Sequence, residues 1–221
     1  NGSYRIAGDA RTSEYVLGNT AFRSGSLGGL VSLGDDTLGV DVYGSYYALN
    51  LGIYQGSHIG NPTDLQRAIE RGGPSREYEF DYNIDRPRQE VQHTLLSVRS
   101  HYRTSKTGKL TLKYGWQQND RSEFDRHGRT TQNEDRPAMN LLLTTYNLDL
   151  GFDHALTDNV GGAVGVSGLR QVNDRSGAVF LVPDYLAHGL GAWAYESIAL
   201  DRWSFSAGLR YDRRWLESTL R

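Results

Sequence analysis

The chain has 221 residues and a formal net charge of −2, so its basic and acidic side chains nearly balance. Without a strongly basic field, the sequence predicts no nucleic acid partner. It contains no run of eighteen apolar residues that would predict a transmembrane helix. Cysteine is absent, which excludes disulfides and thiolate metal ligands.

Alternating or glycine-rich segments predict one partial strand and then eight full strands. In chain order they cover residues 4–9, 20–33, 38–51, 93–102, 109–119, 140–156, 160–171, 186–199 and 203–215. The pattern is clearest over residues 109–119. There Leu110, Leu112 and Trp116 fall on one side of an extended chain. Lys109 and Lys113 fall on the other side, so one face is apolar and the opposite face is polar.

The predicted connections alternate between short and long. Short turns are expected near residues 35, 106, 158 and 201, and long polar loops near residues 12, 55–90, 122–137 and 173–184. This asymmetry is typical of outer-membrane barrels, which have short periplasmic turns and long extracellular loops. The mean hydropathy of −0.58 is compatible with such a barrel, because alternating strands have a low average hydropathy.

One short helix is predicted inside the longest loop, over residues 62–70. Thr63 is its predicted cap and Asp64 lies in its first turn. The glycines and proline at residues 72–74 predict its end.

Several short segments, taken together and in order, resemble one protein family, although each segment alone is too common to identify it. They are Arg11-Thr-Ser-Glu-Tyr15, Gly18-Asn-Thr-Ala-Phe-Arg-Ser-Gly25, Gly56-Ser-His-Ile-Gly-Asn61, Pro87-Arg-Gln-Glu-Val-Gln-His93, Gln117-Gln-Asn-Asp-Arg-Ser-Glu-Phe-Asp125, Leu143-Thr-Thr-Tyr-Asn-Leu-Asp-Leu150, Val182-Pro-Asp-Tyr185 and Ala207-Gly-Leu-Arg-Tyr-Asp212. In this order they resemble the β-barrel of TonB-dependent outer-membrane receptors.

The resemblance implies an antiparallel up-and-down transmembrane β-barrel of about 22 strands. It also implies a location in the bacterial outer membrane, contact with lipid, and coupling to the TonB complex through an N-terminal part. The cargo would be a scarce nutrient such as a siderophore or another metal chelate, and no cofactor is expected. Residues 1–221 are expected to form part of a single barrel domain, without the plug domain and the barrel C-terminus, since both ends of the chain look cut.

Charged side chains in and beside the predicted long loops are candidates for ligand binding. They are His58, Asp64, Arg121, Glu123, Asp125 and Arg126. Arginine presents a forked set of donors that suits an anionic chelate. The alternatives are a solvated salt-bridge network that stiffens the loop and, for His58, an ordinary loop residue, because one imidazole rarely holds a metal alone.

A second set of residues is predicted to line a lumen. They are Arg99, His101, Lys109, Lys113, Asp149, Asp153, Glu196, Arg210 and Asp212. By alternation, His154 points to lipid, while Trp203, Tyr195 and Trp193 are expected in an aromatic belt near a short turn. For His101 the alternative is a hydrogen bond within the barrel wall.

The chain is not expected to be an enzyme. The Gly165-Val-Ser-Gly168 segment lacks the spacing of a nucleophile elbow, and Gly189-Leu-Gly191 leads into a strand instead of a helix. Three alternatives to a transport receptor stay open: a membrane-barrel enzyme, a small structural or adhesive barrel, and a soluble β-sandwich binding module.

Overall fold

A computed structural model describes residues 1–54, 56, 61–74, 76–125 and 136–219. Nine strands form one antiparallel sheet in the order β1-β4-β5-β6-β7-β8-β9-β10-β11, and a two-stranded ribbon, β2-β3, lies in the connection between β1 and β4. The sheet is not closed, so β1 and β11 are its edges. The strands are β1 (Gly2–Ala7), β2 (Ala10–Arg11), β3 (Val16–Leu17), β4 (Phe22–Gly34), β5 (Leu38–Gly52), β6 (Arg88–Arg103), β7 (Gly108–Phe124), β8 (Met139–Thr157), β9 (Val160–Gly177), β10 (Asp184–Leu200) and β11 (Trp203–Thr219).

The all-β class and the strand count predicted from alternation are confirmed. Eight full strands, β4 to β11, follow one short strand, β1, and each pairs with its neighbour in sequence. A β-sandwich needs two sheets packed face to face. In the part of the chain that the structure describes, the only other sheet is the two-residue ribbon β2-β3, which does not provide a second layer.

Several strands extend farther toward the long loops than the sequence predicts. β6 begins at Arg88, β7 continues to Phe124 and β9 continues to Gly177. In these extensions both faces carry polar residues, so the alternation of apolar and polar residues disappears. The backbone hydrogen bonds nevertheless continue, as in the pair Gln89 and Glu123. Hydrophobic pattern therefore marks only the part of a strand that has one apolar face.

The predicted short turns are confirmed, and all four lie at the same end of the sheet. In the β4–β5 turn, the Asp35 carboxylate accepts hydrogen bonds from the backbone N–H groups of Thr37, at 2.7 Å, and Leu38, at 3.0 Å. Gly34 adopts a φ of +116°, which favours glycine at the entry to this turn. Local side-chain to backbone bonds of this kind close a tight connection with groups that lie within the turn itself.

One helix, α1 (Pro62–Arg71), lies in the loop between β5 and β6. The prediction that Thr63 caps it is wrong. Asn61 is the cap, since its side chain accepts a hydrogen bond from the Asp64 backbone N–H at 3.0 Å, and Pro62 occupies the first helical turn. Gly72 ends the helix in the left-handed conformation, as expected. Among the residues described, no helix is long and apolar enough to cross a membrane.

The register separates the side chains of the sheet into two faces. The apolar face carries Leu110, Leu112, Tyr114 and Trp116 of β7, and the polar face carries Lys109, Thr111, Lys113 and Gly115. One row of paired residues on the apolar face contains Leu38, Tyr102, Leu110, Phe152, Val164, Ala194 and Leu209. Many of these large apolar side chains are solvent-exposed, with Leu209 at 79% and Leu112 at 39%. The sheet therefore presents an extended apolar surface that no second layer of the described chain covers.

Eight of the nine residues predicted to line a lumen share the polar face, and Glu196 does not. Glu196 pairs with Gly162 and Ala207, on the same face as Phe152 and Leu209. Its carboxylate reaches across Gly162, which has no side chain, and lies 3.0 Å from Nε2 of His154. The prediction that Glu196 belongs to the lumen set is therefore wrong. Side chains alternate along β10, so Glu196 lies on the other face of the sheet from Tyr195.

Candidate functional site: the polar face and the loop platform

A row of charged residues crosses four neighbouring strands on the polar face. Asp41 of β5 pairs with Arg99 of β6, which pairs with Lys113 of β7, which pairs with Asp149 of β8. Lys109 and Asp153 form a second directly opposed pair, closer to the short turns. Opposite charges facing each other across strands stabilise the pairing, while two adjacent cations oppose it. The row therefore carries two acidic and two basic residues, whose formal charges balance, with the two cations next to each other.

Arg210 and Asp212 form a bidentate ion pair at the β11 end of the same face. Nε and Nη2 of Arg210 each lie 2.7 Å from a carboxylate oxygen of Asp212. Nη2 also donates to Oγ of Ser167 at 3.1 Å. A Cβ on Gly191 would lie 2.4 Å from the Asp212 carboxylate, so the ion pair occupies the space above this glycine. Arginine fixes the direction of such a planar pair, although its exposure limits what it contributes to stability.

Trp193 lies over glycines of two neighbouring strands. A Cβ on Gly165 would approach the indole to 2.5 Å, and one on Gly151 would approach it to 3.5 Å. The prediction that Trp193 and Tyr195 belong to an apolar aromatic belt is wrong, since both lie on the polar face with Arg210 and Asp153. A groove of about 370 Å³ beside the indole is lined by Arg99, Thr111, Lys113, Asp149, Leu150, Gly151, Asp153 and Trp193.

The two histidines of β6 make contacts within the sheet. Nε2 of His101 lies 3.0 Å from the Asp35 carbonyl oxygen, and its ring lies over Gly39. Nδ1 of His93 lies 3.4 Å from the Asn119 side-chain amide. His101 therefore holds the β4–β5 turn against β6. This agrees with the alternative given for His101 above, a hydrogen bond within the strands and turns.

At the long-loop end, three segments pack together and form what we call the loop platform, residues 8–20, 52–54 and 76–87. Asp9 is buried, and its carboxylate accepts hydrogen bonds from the backbone N–H groups of Thr20, at 2.8 Å, and Asp81, at 3.2 Å. The Asn19 amide donates to the carbonyls of Ile53 and Pro87, both at 2.9 Å. Two side chains thus satisfy backbone groups from all three segments.

Aromatic rings and guanidinium groups cover the loop platform. Tyr54 and Tyr78 meet edge to face at 6.0 Å, and burial raises the pKa of the Tyr54 hydroxyl, with Tyr78 adding to the shift. Arg76 lies over the Tyr78 ring at 4.6 Å, and Arg11 lies over the Phe80 ring at 3.9 Å. A groove of about 370 Å³ opens between the segments, lined by residues 11–16, Pro74 and residues 76–78. Rings and arginines together suit an anionic ligand with a flat or aromatic part.

Among the predicted ligand-binding residues that the structure describes, Arg121 and Glu123 are brought together, and Asp64 lies apart from them in α1. Asp64 accepts from Asn61 at 2.8 Å and lies 3.5 Å from the Arg67 guanidinium, so it serves the start of α1. Arg121 and Glu123 lie in the last four residues of β7, beside the long loop that follows, and form an ion pair with each other. Asp125 directly follows β7. His58 and Arg126 lie outside the described residues.

No group of three or more histidine or acidic side chains that could hold a metal ion occurs within residues 1–54, 56, 61–74, 76–125 and 136–219.

Sequence reasoning missed the loop platform, because residues 52–92 carry no long hydrophobic period. One signal was available. Tyr78, Phe80 and Tyr82 alternate with acidic residues at 77–81, which is an amphipathic pattern inside an otherwise polar stretch. In the structure Phe80 and Tyr82 meet edge to face at 5.2 Å, and Asp81 bonds to Asp9.

No protein-family model matches this chain, and a search of curated proteins finds no match.

Proposed function

We propose that the nine-stranded sheet forms part of the wall of a closed outer-membrane β-barrel that acts as a TonB-dependent transport receptor. Its apolar face contacts lipid, its polar face lines the lumen, and the long-loop end faces outward. The receptor takes up a scarce nutrient, most simply a siderophore or another anionic metal chelate.

The observation that carries the proposal is the division of one continuous sheet into an apolar and a polar face, with all short turns at one end. A soluble protein would have to cover the exposed leucines and valines of the apolar face with another layer. A bilayer covers such a face without protein contacts, and the enclosed lumen accommodates the charges of the opposite face. The unpaired edges β1 and β11 also favour closure, because an edge strand left in a membrane would expose unsatisfied backbone groups.

The strand lengths support the same proposal. Strands β4 to β11 contain between 13 and 19 residues. About 9–11 residues are enough to cross the hydrocarbon region when a strand is tilted. The remaining residues would extend the hairpins beyond the membrane on the long-loop side, where both faces of the sheet are polar.

The loop platform is the ligand-contacting part of the proposed receptor. Arg11, Arg76 and the surrounding rings would recognise the charge and the flat groups of the chelate. The polar face below it, where Arg99 and Lys113 lie side by side between two aspartates, would offer charged partners of both signs along the lumen.

Uptake by intact cells tests the proposal. Cells that carry the gene and cells that lack it are given a panel of radiolabelled ferric siderophores, with and without a protonophore. We expect loss of the gene to abolish uptake of at least one chelate, and the protonophore to abolish it in the parent cells. Unchanged uptake of the whole panel, with the protein inserted in the outer membrane, would favour the structural or adhesive barrel.

A further inference from the structure

An apolar groove on the face opposite the charged row has the features of a lipid site. It has a volume of about 450 Å³ and lies where β8, β9, β10 and β11 run side by side. Gly168 forms its floor, because a Cβ at this position would meet only Leu190, at 3.9 Å. Leu148 and Leu190 flank the glycine as its directly paired neighbours on β8 and β10. The groove is therefore the gap left by one missing side chain between two paired leucines.

Cationic and aromatic side chains surround the end of the groove that lies toward the long loops. The next row of paired residues contains Tyr146, Arg170, His188 and Trp215. Arg213 belongs to the groove row itself, paired with Leu190, and its guanidinium lies over the Trp215 ring at 4.9 Å. Tyrosine and tryptophan at the end of an apolar face mark the level of the membrane interface.

The two arginines have no anionic partner within the described chain. Arg170 is exposed, and no described residue forms a hydrogen bond or an ion pair with it. Arg213 contacts only the Trp215 ring among the interactions of described residues. The next carboxylate on this face of β11, that of Glu217, lies four residues beyond Arg213 toward the long loops and makes no ion pair with a described residue. A guanidinium on a lipid-facing surface is unfavourable unless it reaches an anion or water at the headgroup layer.

We propose that this groove binds a lipid with an anionic, phosphate-bearing headgroup in the leaflet at the long-loop end. One acyl chain lies over Gly168 between Leu148 and Leu190, and the phosphate accepts hydrogen bonds from Arg170 and Arg213. The proposal rests on the membrane-barrel function proposed above. The match of charges commits it to an anionic lipid: apolar walls alone would accept any acyl chain, but two unpaired arginines at interface level select a phosphate.

Native mass spectrometry of the protein, purified from outer membranes in a neutral detergent, tests the lipid site with phosphatidylglycerol and with uncharged diacylglycerol as probes. We expect Arg170→Gln and Arg213→Gln each to weaken phosphatidylglycerol binding about fivefold and to leave diacylglycerol binding unchanged. The matched control is Arg214→Gln, on the same strand but on the opposite face, which should bind phosphatidylglycerol like the parent.

A second variant tests the groove independently of charge. Gly168→Leu fills the floor from a position where the added Cβ meets no backbone atom within 4 Å, so the sheet should still form. We expect it to weaken binding of both lipids. Equal phosphatidylglycerol binding by the parent, both arginine variants and Gly168→Leu would overturn the lipid site alone. A protein that does not insert into outer membranes would overturn both the lipid site and the membrane-barrel function.

Discussion

The nine-stranded sheet and the loop platform are stabilised in different ways, although they share the strands at their junction. The sheet depends on backbone ladders between strands that follow each other in sequence, so almost any residue of the right polarity can take part. The platform depends on single buried side chains, above all Asp9 and Asn19, that bond to backbone groups far away in the chain. The sheet should therefore tolerate most substitutions that preserve its faces, while the platform should fail at single positions.

Reversing the character of one face should have the largest effect. Leu112→Arg places a charge at the centre of the apolar face, and if this face contacts lipid, as proposed, the arginine costs about 2–4 kcal/mol. We expect it to prevent membrane assembly, measured as the yield of heat-modifiable protein in the outer membrane. Thr111→Arg, one residue away on the polar face, is the matched control and should be milder. Equal yields from the two variants would refute the assignment of the faces.

The next largest effect should come from adding a side chain at Gly165, over which the Trp193 indole packs. A Cβ on Gly165 would lie 2.5 Å from the indole and 2.7 Å from the Leu150 carbonyl oxygen. We expect Gly165→Ala to lower the free energy of unfolding by about 1–3 kcal/mol and to shift tryptophan emission. At Gly115, on the same face, the nearest atom would be 3.9 Å away, so Gly115→Ala is the control. The same loss in both variants would show that packing over Gly165 is not the cause.

Within the platform, loss of the Asn19 side chain should open the loops and spare the sheet. Asn19 makes two donor bonds and also accepts one from the Asp85 backbone N–H at 2.7 Å. We expect Asn19→Ala to reduce the opening free energy of residues 76–87 by about 1–2 kcal/mol, measured by hydrogen exchange.

A glycine variant separates the side chain of Asn19 from its backbone conformation, which has a positive φ of 62°. Asn19→Gly keeps this conformation available and removes the three hydrogen bonds. We expect it to exchange as fast as Asn19→Ala. Exchange as slow as in the parent would mean that the hydrogen bonds do not hold the platform together.

The smallest expected effect is a pH response of the β4–β5 turn. Backbone hydrogen bonds from Leu38 and Thr37, with a smaller contribution from His101, lower the pKa of Asp35. A lowered folded-state pKa stabilises the turn above the unfolded value of about 3.9, and this stabilisation is lost as the pH falls through the folded-state pKa.

In an NMR titration, the Thr37 and Leu38 amide signals should therefore report loss of their hydrogen bonds to the Asp35 carboxylate only below about pH 3.9. Asp35→Asn should remove this transition, and Asp36→Asn should keep it. A transition that survives in Asp35→Asn would assign the pH response to another group.

Alternation and turn residues predicted the number, order and antiparallel pairing of the strands, because these depend on patterns within about ten residues. They could not predict how far β7 and β9 continue beyond the apolar face, where pairing persists without a pattern. Side-chain alternation along the strands predicts the face of Lys113 and Asp149 correctly. Glu196 is charged but lies on the apolar face, because its position in β10 and not its charge decides where it points. The platform depends on contacts such as that between Asn19 and Pro87, which are 68 residues apart. A pattern of neighbouring residues cannot predict contacts over such a distance in the chain.

A nitroxide scan across residues 109–116 of the membrane-inserted protein tests the two-faced wall most directly. The chain has no cysteine, so each single-cysteine variant carries one label. We predict collision with oxygen, which concentrates in lipid, to peak at Leu110, Leu112, Tyr114 and Trp116. Collision with a water-soluble nickel chelate should peak at the positions between them. Accessibility without a period of two, or with the two reagents reversed, would contradict a wall that faces lipid on one side and a polar lumen on the other.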